Sequence, residues 1–212
     1  MSGGFQKLLA YQVAEVITVL TLEFCRRYIA KTSRTFEQIV QALRSGKQNI
    51  VEGSKENSLK SYMRLVGVAR ASFEELKEDL KDYLRQRNLA LWDKNDLRVL
   101  EIRKIRVDGS PYWSNLSNWS NWTNLPSPVS SAESFANLLI TLISLETYLL
   151  DKLLRGLEEQ FVRQGDFSEQ LSTRRAEARR NWDLNRRQRE DAWIAEMMAA
   201  VKAGRPIPEF KG

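Results

Sequence analysis

Apolar residues recur along this chain at spacings of three and four, the period of a helix that buries one face. In the first segment Phe5, Leu9, Val13, Val16, Leu20 and Phe24 form such a stripe, which runs on to Tyr28. Val19 and Leu22 widen it, so the pattern predicts a helix with neighbours on more than one side. Lys31-Thr32-Ser33 is a polar break with an N-cap candidate, and a second helix follows with Phe36, Ile39, Val40, Leu43, Ile50 and Val51. Gly46 interrupts that stripe. With Ala42, Asn49 and Gly53 it makes a line of small residues at helical spacing, which permits another helix to come close. Gly53-Ser54 predicts a helix end with glycine as the left-handed cap.

Asn57-Ser58 restarts the chain, and a third helix with Leu59, Met63, Val66, Phe73, Leu76, Leu80 and Leu84 on its apolar side is expected to run to Arg87. A shorter helix is expected from Asp93 to about Arg106, with Leu97, Leu100 and Ile105 apolar. Between Val107 and Ser131 the periodicity fails, amid Gly109, Pro111, Pro126 and Pro128 and the near-repeat Ser117-Asn118-Trp119-Ser120-Asn121-Trp122-Thr123-Asn124. Ser130 to Glu133 has the spacing of a capping box. It opens a fourth long helix with Phe135, Leu138, Leu142, Leu149, Leu153, Leu157 and Phe161, ending near Gln164-Gly165. A polar helical segment from about Ser168 to Ala203 repeats Leu171, Ala178, Trp182, Trp193, Met197 and Val201 on one side. No strand is predicted. The expected fold is all-α: an antiparallel up-down four-helix bundle over residues 1–165, with a long loop (107–131) between helices 3 and 4, and a basic helical tail over 166–212.

Composition narrows the chemistry. Among 212 residues there is no histidine, which removes Ser-His and Cys-His nucleophile pairs, histidine bases and histidine-containing zinc or di-iron sites. The single cysteine, Cys25, can form neither an internal disulfide nor a redox pair and suits a reducing compartment. The net charge is +6, a small excess for the length. Its placement is uneven: residues 132–165 carry three basic and five acidic side chains, whereas residues 174–189 carry seven arginines against Glu177 and Asp183. A concentrated positive field of this kind favours polyanionic partners. The start of the chain lacks the pattern of a signal peptide. The apolar run Leu138 to Leu150 is broken by Thr141, Ser144, Glu146 and Thr147 and reads as too short and too polar to cross a bilayer. A cytoplasmic protein is expected.

Two stretches carry a family resemblance. Ser45-Gly46-Lys47-Gln48-Asn49-Ile50-Val51-Glu52-Gly53-Ser54 and Val66-Gly67-Val68-Ala69-Arg70-Ala71-Ser72-Phe73-Glu74-Glu75-Leu76 resemble the paired motifs of the bacterial four-helix-bundle proteins first recognised in reading frames within 23S rRNA intervening sequences. The Gly-Gly-Phe start, Leu89-Ala90-Leu91-Trp92-Asp93 and the fourth helix are similar to the subgroup with a four-helix-bundle suffix. The likeness covers residues 3–165. Val51 stands where alanine is usual and Ala71 where glycine is common; the Trp/Asn-rich loop and the tail match nothing in the family. The resemblance implies an up-down bundle that assembles with itself into a ring, a pentamer in relatives of known structure. It also implies kinship with the accessory protein of diversity-generating retroelements, a basic barrel that binds nucleic acid and a reverse transcriptase.

Each conspicuous group has a structural reading beside the functional one. Asn49, Glu52 and Gly53 share a side of the second helix and suit either a polar contact to a partner or a structural role, with Glu52 paired to Arg70 and Asn49 satisfying backbone groups. Glu74, Glu75, Glu78 and Asp79 lie among Lys77 and Lys81 at ion-pair spacings, so they read as a solvated face rather than a metal site. Gly46-Lys47 lacks the rest of a phosphate loop, and Ser45 lacks an activating partner. In the tail, Arg174, Arg175, Arg179, Arg180, Arg186, Arg187 and Arg189 surround Trp182. Arginines contact phosphates and an exposed indole stacks on a base; the alternative is that Trp182 and Trp193 dock the tail on protein. A membrane contact is disfavoured because Glu190, Asp191 and Glu196 thin the charge where apolar residues gather. Trp113, Trp119 and Trp122 are expected to contact protein or a ligand. The expectation is a non-enzymatic homo-oligomer without cofactor or metal, acting as a nucleic-acid-binding (RNA or DNA) or reverse-transcriptase accessory module. The alternative is a structural interaction protein whose tail is an assembly arm.

Overall fold

The structure is a computed structural model and describes residues 5–104, 131–206 and 209. Among these residues every regular element is helical and none is a strand: a 3-10 turn at Phe5–Lys7, then α1 (Leu9–Tyr28), α2 (Arg34–Gly53), α3 (Leu59–Gln86), α4 (Leu97–Lys104), α5 (Ala132–Gln164) and α6 (Phe167–Lys202). The chain divides into two compact units, Met1–Arg163 and Gln164–Gly212.

Local chemistry sets the helix limits. The Ser33 hydroxyl accepts the Phe36 N–H at 3.2 Å, and the Ser58 hydroxyl accepts the Ser61 N–H at 3.2 Å, so both predicted starts are capped by serine. Asn88, at φ 53°, closes α3, with the Leu89 N–H reaching back to the Leu84 carbonyl at 2.9 Å. At the start of α5 the cap is Ser131, whose hydroxyl accepts the Ser134 N–H while Ser134 Oγ accepts the Ser131 N–H, each at 3.2 Å. Ser130 of the expected Ser130–Glu133 box lies outside the described residues; the Glu133 carboxylate accepts hydrogen bonds from the Ala90 N–H and the Trp92 indole. The expected helix from Asp93 is shorter than predicted. Asp96 caps α4 by accepting the Arg98 N–H at 2.9 Å, and its buried side is Val99 and Ile102, while Leu97 is 78% exposed. Ile105 and the 107–131 loop lie outside the described residues apart from Ser131.

One core cluster draws on α1, α2, α3, α4 and α5, with Phe24, Phe73 and Phe135 among its largest fully buried side chains. Phe24 meets Tyr83 edge-on at 4.9 Å and Phe135 at 5.6 Å, so α1, α3 and α5 converge on it. Full burial of such a ring stabilises the fold by about 1.5–3 kcal/mol, and each edge-on pair adds about 0.5–1.5 kcal/mol. The small-residue line on α2 does what its spacing predicts. A Cβ on Gly46 would stand 2.8 Å from the Phe73 ring, and one on Gly53 2.9 Å from the Tyr62 ring. Those two contacts make α2 and α3 antiparallel and fix their register. Gly53 is a correction, because its φ is not positive. It stays helical, and what it supplies is room for Tyr62 rather than a left-handed cap.

Two cross-links complete the 1–163 unit. Lys47 of α2 pairs with Glu15 of α1, and Arg70 Nε of α3 meets Asp151 Oδ1 of α5 at 2.6 Å. The segment after α3 is tied to α5 by a polar clamp. Asn137 Oδ1 accepts the Trp92 N–H at 2.9 Å, and Asn137 Nδ2 donates to the Ala90 carbonyl at 2.9 Å. Glu133 accepts the Trp92 indole N–H at 3.1 Å and the Ala90 N–H at 3.1 Å. The Arg98 guanidinium covers the Trp92 ring at 3.7 Å.

The buried side of α5 is wider than the expected one: Phe135, Leu138, Leu142 and Leu157 are buried as expected and Leu149 and Leu153 only partly so, while Leu139, Ile143, Glu146 and Leu150 are buried as well. One stretch within Ala132–Lys202 is long and apolar enough to cross a membrane by length and composition, contrary to the expectation from Leu138 to Leu150 alone; 67% of that window is buried, as in a core helix.

Gly46→Leu is expected to lower stability by about 1–3 kcal/mol through overpacking against Phe73. Gly67→Ala, where an added Cβ meets nothing within 4 Å, is expected to raise it by up to about 1 kcal/mol. Urea denaturation midpoints of the two variants check the opposite signs.

Candidate nucleic-acid interface

In the second unit, Gly165 takes a left-handed backbone (φ 69°) after α5, and Asp166 and Glu169 open α6 as a reciprocal capping box, with Glu169 accepting the Asp166 N–H at 3.3 Å. The 36 residues of α6 extend for about 54 Å at the standard helical rise. None of them is buried. The expected side of Leu171, Ala178, Trp182, Trp193, Met197 and Val201 is accordingly no core face: Trp182 is 58% exposed and Val201 59%, with only Trp193 and Met197 half-buried.

All seven arginines from Arg174 to Arg189 are exposed. Arg186 Nε donates to Glu190 Oε1 at 2.8 Å, and its guanidinium stands 5.8 Å from the centre of the Trp182 ring. Arg189 Nε donates to the Asn185 carbonyl at 3.4 Å. Arg174, Arg175, Arg179, Arg180 and Arg187 have no carboxylate partner among the described residues. Their charge therefore faces water, ready for exchange of counterions against phosphates.

Asn49, Glu52, Gly53 and Arg70 sit in the other unit and serve its packing. Asn49 Nδ2 donates to the Ser45 carbonyl at 2.8 Å, and the Ser45 and Ser72 hydroxyls are 2.9 Å apart, so a short polar chain joins α2 to α3. The expected Glu52–Arg70 pair is not made. The α2–α3 register puts Gly46 beside Phe73 and Gly53 beside Tyr62, which leaves Arg70 about a turn away from Glu52. Arg70 turns to Asp151, and Glu52 accepts a hydrogen bond from Gln48 at 2.8 Å.

Among the acids of α3, Glu74 pairs with Lys77 and Glu78 with Lys81. The Lys81 hydrogen bond holds the Glu78 carboxyl below its ordinary range, whereas burial, with Asp82 and Glu75 nearby, pushes Asp79 up. Among the described residues no three His, Cys, Asp or Glu side chains gather as a metal site. Burial raises the Cys25 thiol to about 12, which leaves it unreactive. Trp113, Trp119 and Trp122 lie outside the described residues.

Two features escaped the sequence reading. A groove of about 420 Å³ runs between α1 and α2, lined by Thr18, Arg44, Lys47, Gln48 and Lys55 among others. It needs the pairing of two helices to exist, so no single-helix pattern signals it. The other is Glu146, which reads in sequence as a polar break in an apolar run. It is fully buried, and neither carboxylate oxygen has a hydrogen-bond partner among the described residues. Its spacing from Phe135, Leu139, Ile143 and Leu150 is the signal that could have placed it in the core. Burial pushes its carboxyl well above the ordinary range, which favours the neutral acid.

Comparison with family models, curated proteins and solved structures finds no match to this chain.

The raised Glu146 carboxyl has a defined sign. At acid pH, below the unfolded carboxyl range, both states hold the proton and the group is neutral to folding equilibrium with respect to pH. Above it the unfolded chain ionises while the folded chain does not, so stability falls as pH rises toward the folded value. Glu146→Gln keeps the shape and removes the titration. The gain of this variant over the natural chain is expected to grow as pH rises from the ordinary carboxyl range toward neutral. Denaturation midpoints at the two ends of that range check it, and a constant difference is the contrary result.

Proposed function

We propose that the chain is a non-enzymatic, cytoplasmic, homo-oligomeric four-helix-bundle protein that binds nucleic acid through α6, alone or as accessory to a reverse transcriptase. The bundle comprises α1, α2, α3 and α5, with α4 as a short appendage. The antiparallel α2–α3 register and the shared core around Phe24, Phe73 and Phe135 support this arrangement. The motifs around Asn49-Ile50-Val51-Glu52-Gly53 and Ala69-Arg70-Ala71-Ser72 support membership of the ribosomal-intervening-sequence bundle family. Self-association, as the five-membered ring this resemblance implies, has support in α1, where Leu9, Val19 and Leu22 remain 38–45% exposed on a helix otherwise rich in buried residues.

The observation that carries the nucleic-acid reading is a long helix with no buried residue and seven exposed arginines, of which only Arg186 has a carboxylate partner among the described residues. Such a helix gains little from packing, and its composition suits a polyanion. In an oligomer the arms of several copies add their fields. A second reading has its own observation: beyond Glu190 the helix carries Trp193, Ile194, Met197, Met198 and Val201, all partly accessible, which suits a protein surface and an assembly arm.

The full-length chain is expected to bind RNA or DNA with affinity that falls steeply with salt. Replacing Arg174, Arg175, Arg179 and Arg180 together by Gln is expected to weaken binding at low salt at least about tenfold and to flatten the log–log salt slope by about 3. Fluorescence anisotropy across a salt series, with sedimentation to follow oligomer size, checks this. Absence of binding at low salt, or a change of oligomer size alone in the variant, gives the assembly-arm reading the place.

A further inference from the structure

Arginines are not spread evenly around α6. At about 100° per residue, Arg175, Arg179, Arg186 and Arg189 fall within about 60° of Trp182, at positions −7, −3, +4 and +7 from it. They form one stripe about 21 Å long with the indole at its centre. Trp182 is 58% exposed, and Arg186 leans over its ring at 5.8 Å, leaving the ring accessible between two pairs of guanidinium groups. Of the acids in this stretch, Glu177 and Asp183 project about 100° or more from Trp182, and Glu190 at the stripe's edge engages Arg186.

We propose, on the basis of the nucleic-acid reading above, that this stripe is a platform for single-stranded nucleic acid, with one base stacked on Trp182 and the flanking phosphates on Arg175, Arg179 and Arg189. The indole decides between single strand and duplex. In a duplex each base face is already covered by its neighbours, so an arginine helix lying in a groove uses its guanidinium groups and gains nothing from an aromatic face. An unpaired base exposes that face, and stacking there is tolerant of sequence. A lipid surface fits less well. The apolar residues between Arg174 and Arg189 are Ala176, Ala178, Trp182 and Leu184, and Leu184 projects to the opposite side from Trp182, so no apolar face is available to enter a bilayer.

The test uses the full-length protein, a fluorescein-labelled oligouridylate, an RNA duplex of equal length and vesicles containing anionic lipid. Trp182→Ala is expected to weaken oligouridylate binding about 5- to 100-fold and leave duplex binding within about twofold, with Trp182→Phe retaining most of the single-strand affinity. Because the side chain is exposed, helicity by circular dichroism is expected to be unchanged. Equal loss on both nucleic acids, or no loss on either while Arg175→Gln/Arg179→Gln weakens both, overturns the platform and leaves the nucleic-acid reading standing. No binding of either nucleic acid at low salt, with or without capture on vesicles, overturns both.

Discussion

The contact between a missing side chain and an aromatic ring governs this molecule. At Gly46 the backbone of α2 lies against Phe73 so closely that a single added carbon would stand 2.8 Å from the ring. Gly53 repeats the arrangement with Tyr62. Two fixed points on one helix pair define a register, and the polar contacts follow from it: Ser45 faces Ser72, Asn49 folds back on Ser45, and Arg70 is carried past Glu52 to Asp151. The family-like motif is thereby accounted for as packing. Its glycines make room, and its asparagine satisfies a carbonyl.

Around that pair the 1–163 unit combines a dry aromatic centre with two polar insertions of opposite character. The Asn137–Glu133 clamp pairs the Ala90 N–H and carbonyl, the Trp92 N–H and the Trp92 indole N–H, and so fixes the path of the chain after α3. Glu146 does the reverse. It occupies a core position on α5 with neither oxygen matched among the described residues, and burial raises its carboxyl, favouring the protonated form. A protein tolerates such a group because the neutral acid costs far less to bury than the anion.

The second unit follows a different principle. A helix stabilised by good formers, a capping box and local pairs such as Arg186–Glu190 does not require a core. That frees its surface for charge. The division of labour is physical: the first unit spends its apolar residues on itself, and the second presents arginine and indole to the solvent.

What the sequence alone determined was the local layer. Helix period, the N-cap in the polar break ending at Ser33, the restart at Asn57-Ser58, the end of α3 near Arg87 and the close approach at Gly46 and Gly53 are properties of residues a few positions apart, and each was readable in advance. The arginine stripe was equally legible, since helical spacing fixes who neighbours whom on one rod. What only the tertiary structure decided was everything that depends on a second rod: the widening of the buried face of α5 to take in Glu146 and Leu150, the choice of Asp151 over Glu52 for Arg70, the groove between α1 and α2, and the hold of Glu133 on the Trp92 indole. Periodicity gives the centre of a stripe but not its width, which is set by how many neighbours surround the helix, and a wider face takes in a carboxyl that reads in sequence as a polar break.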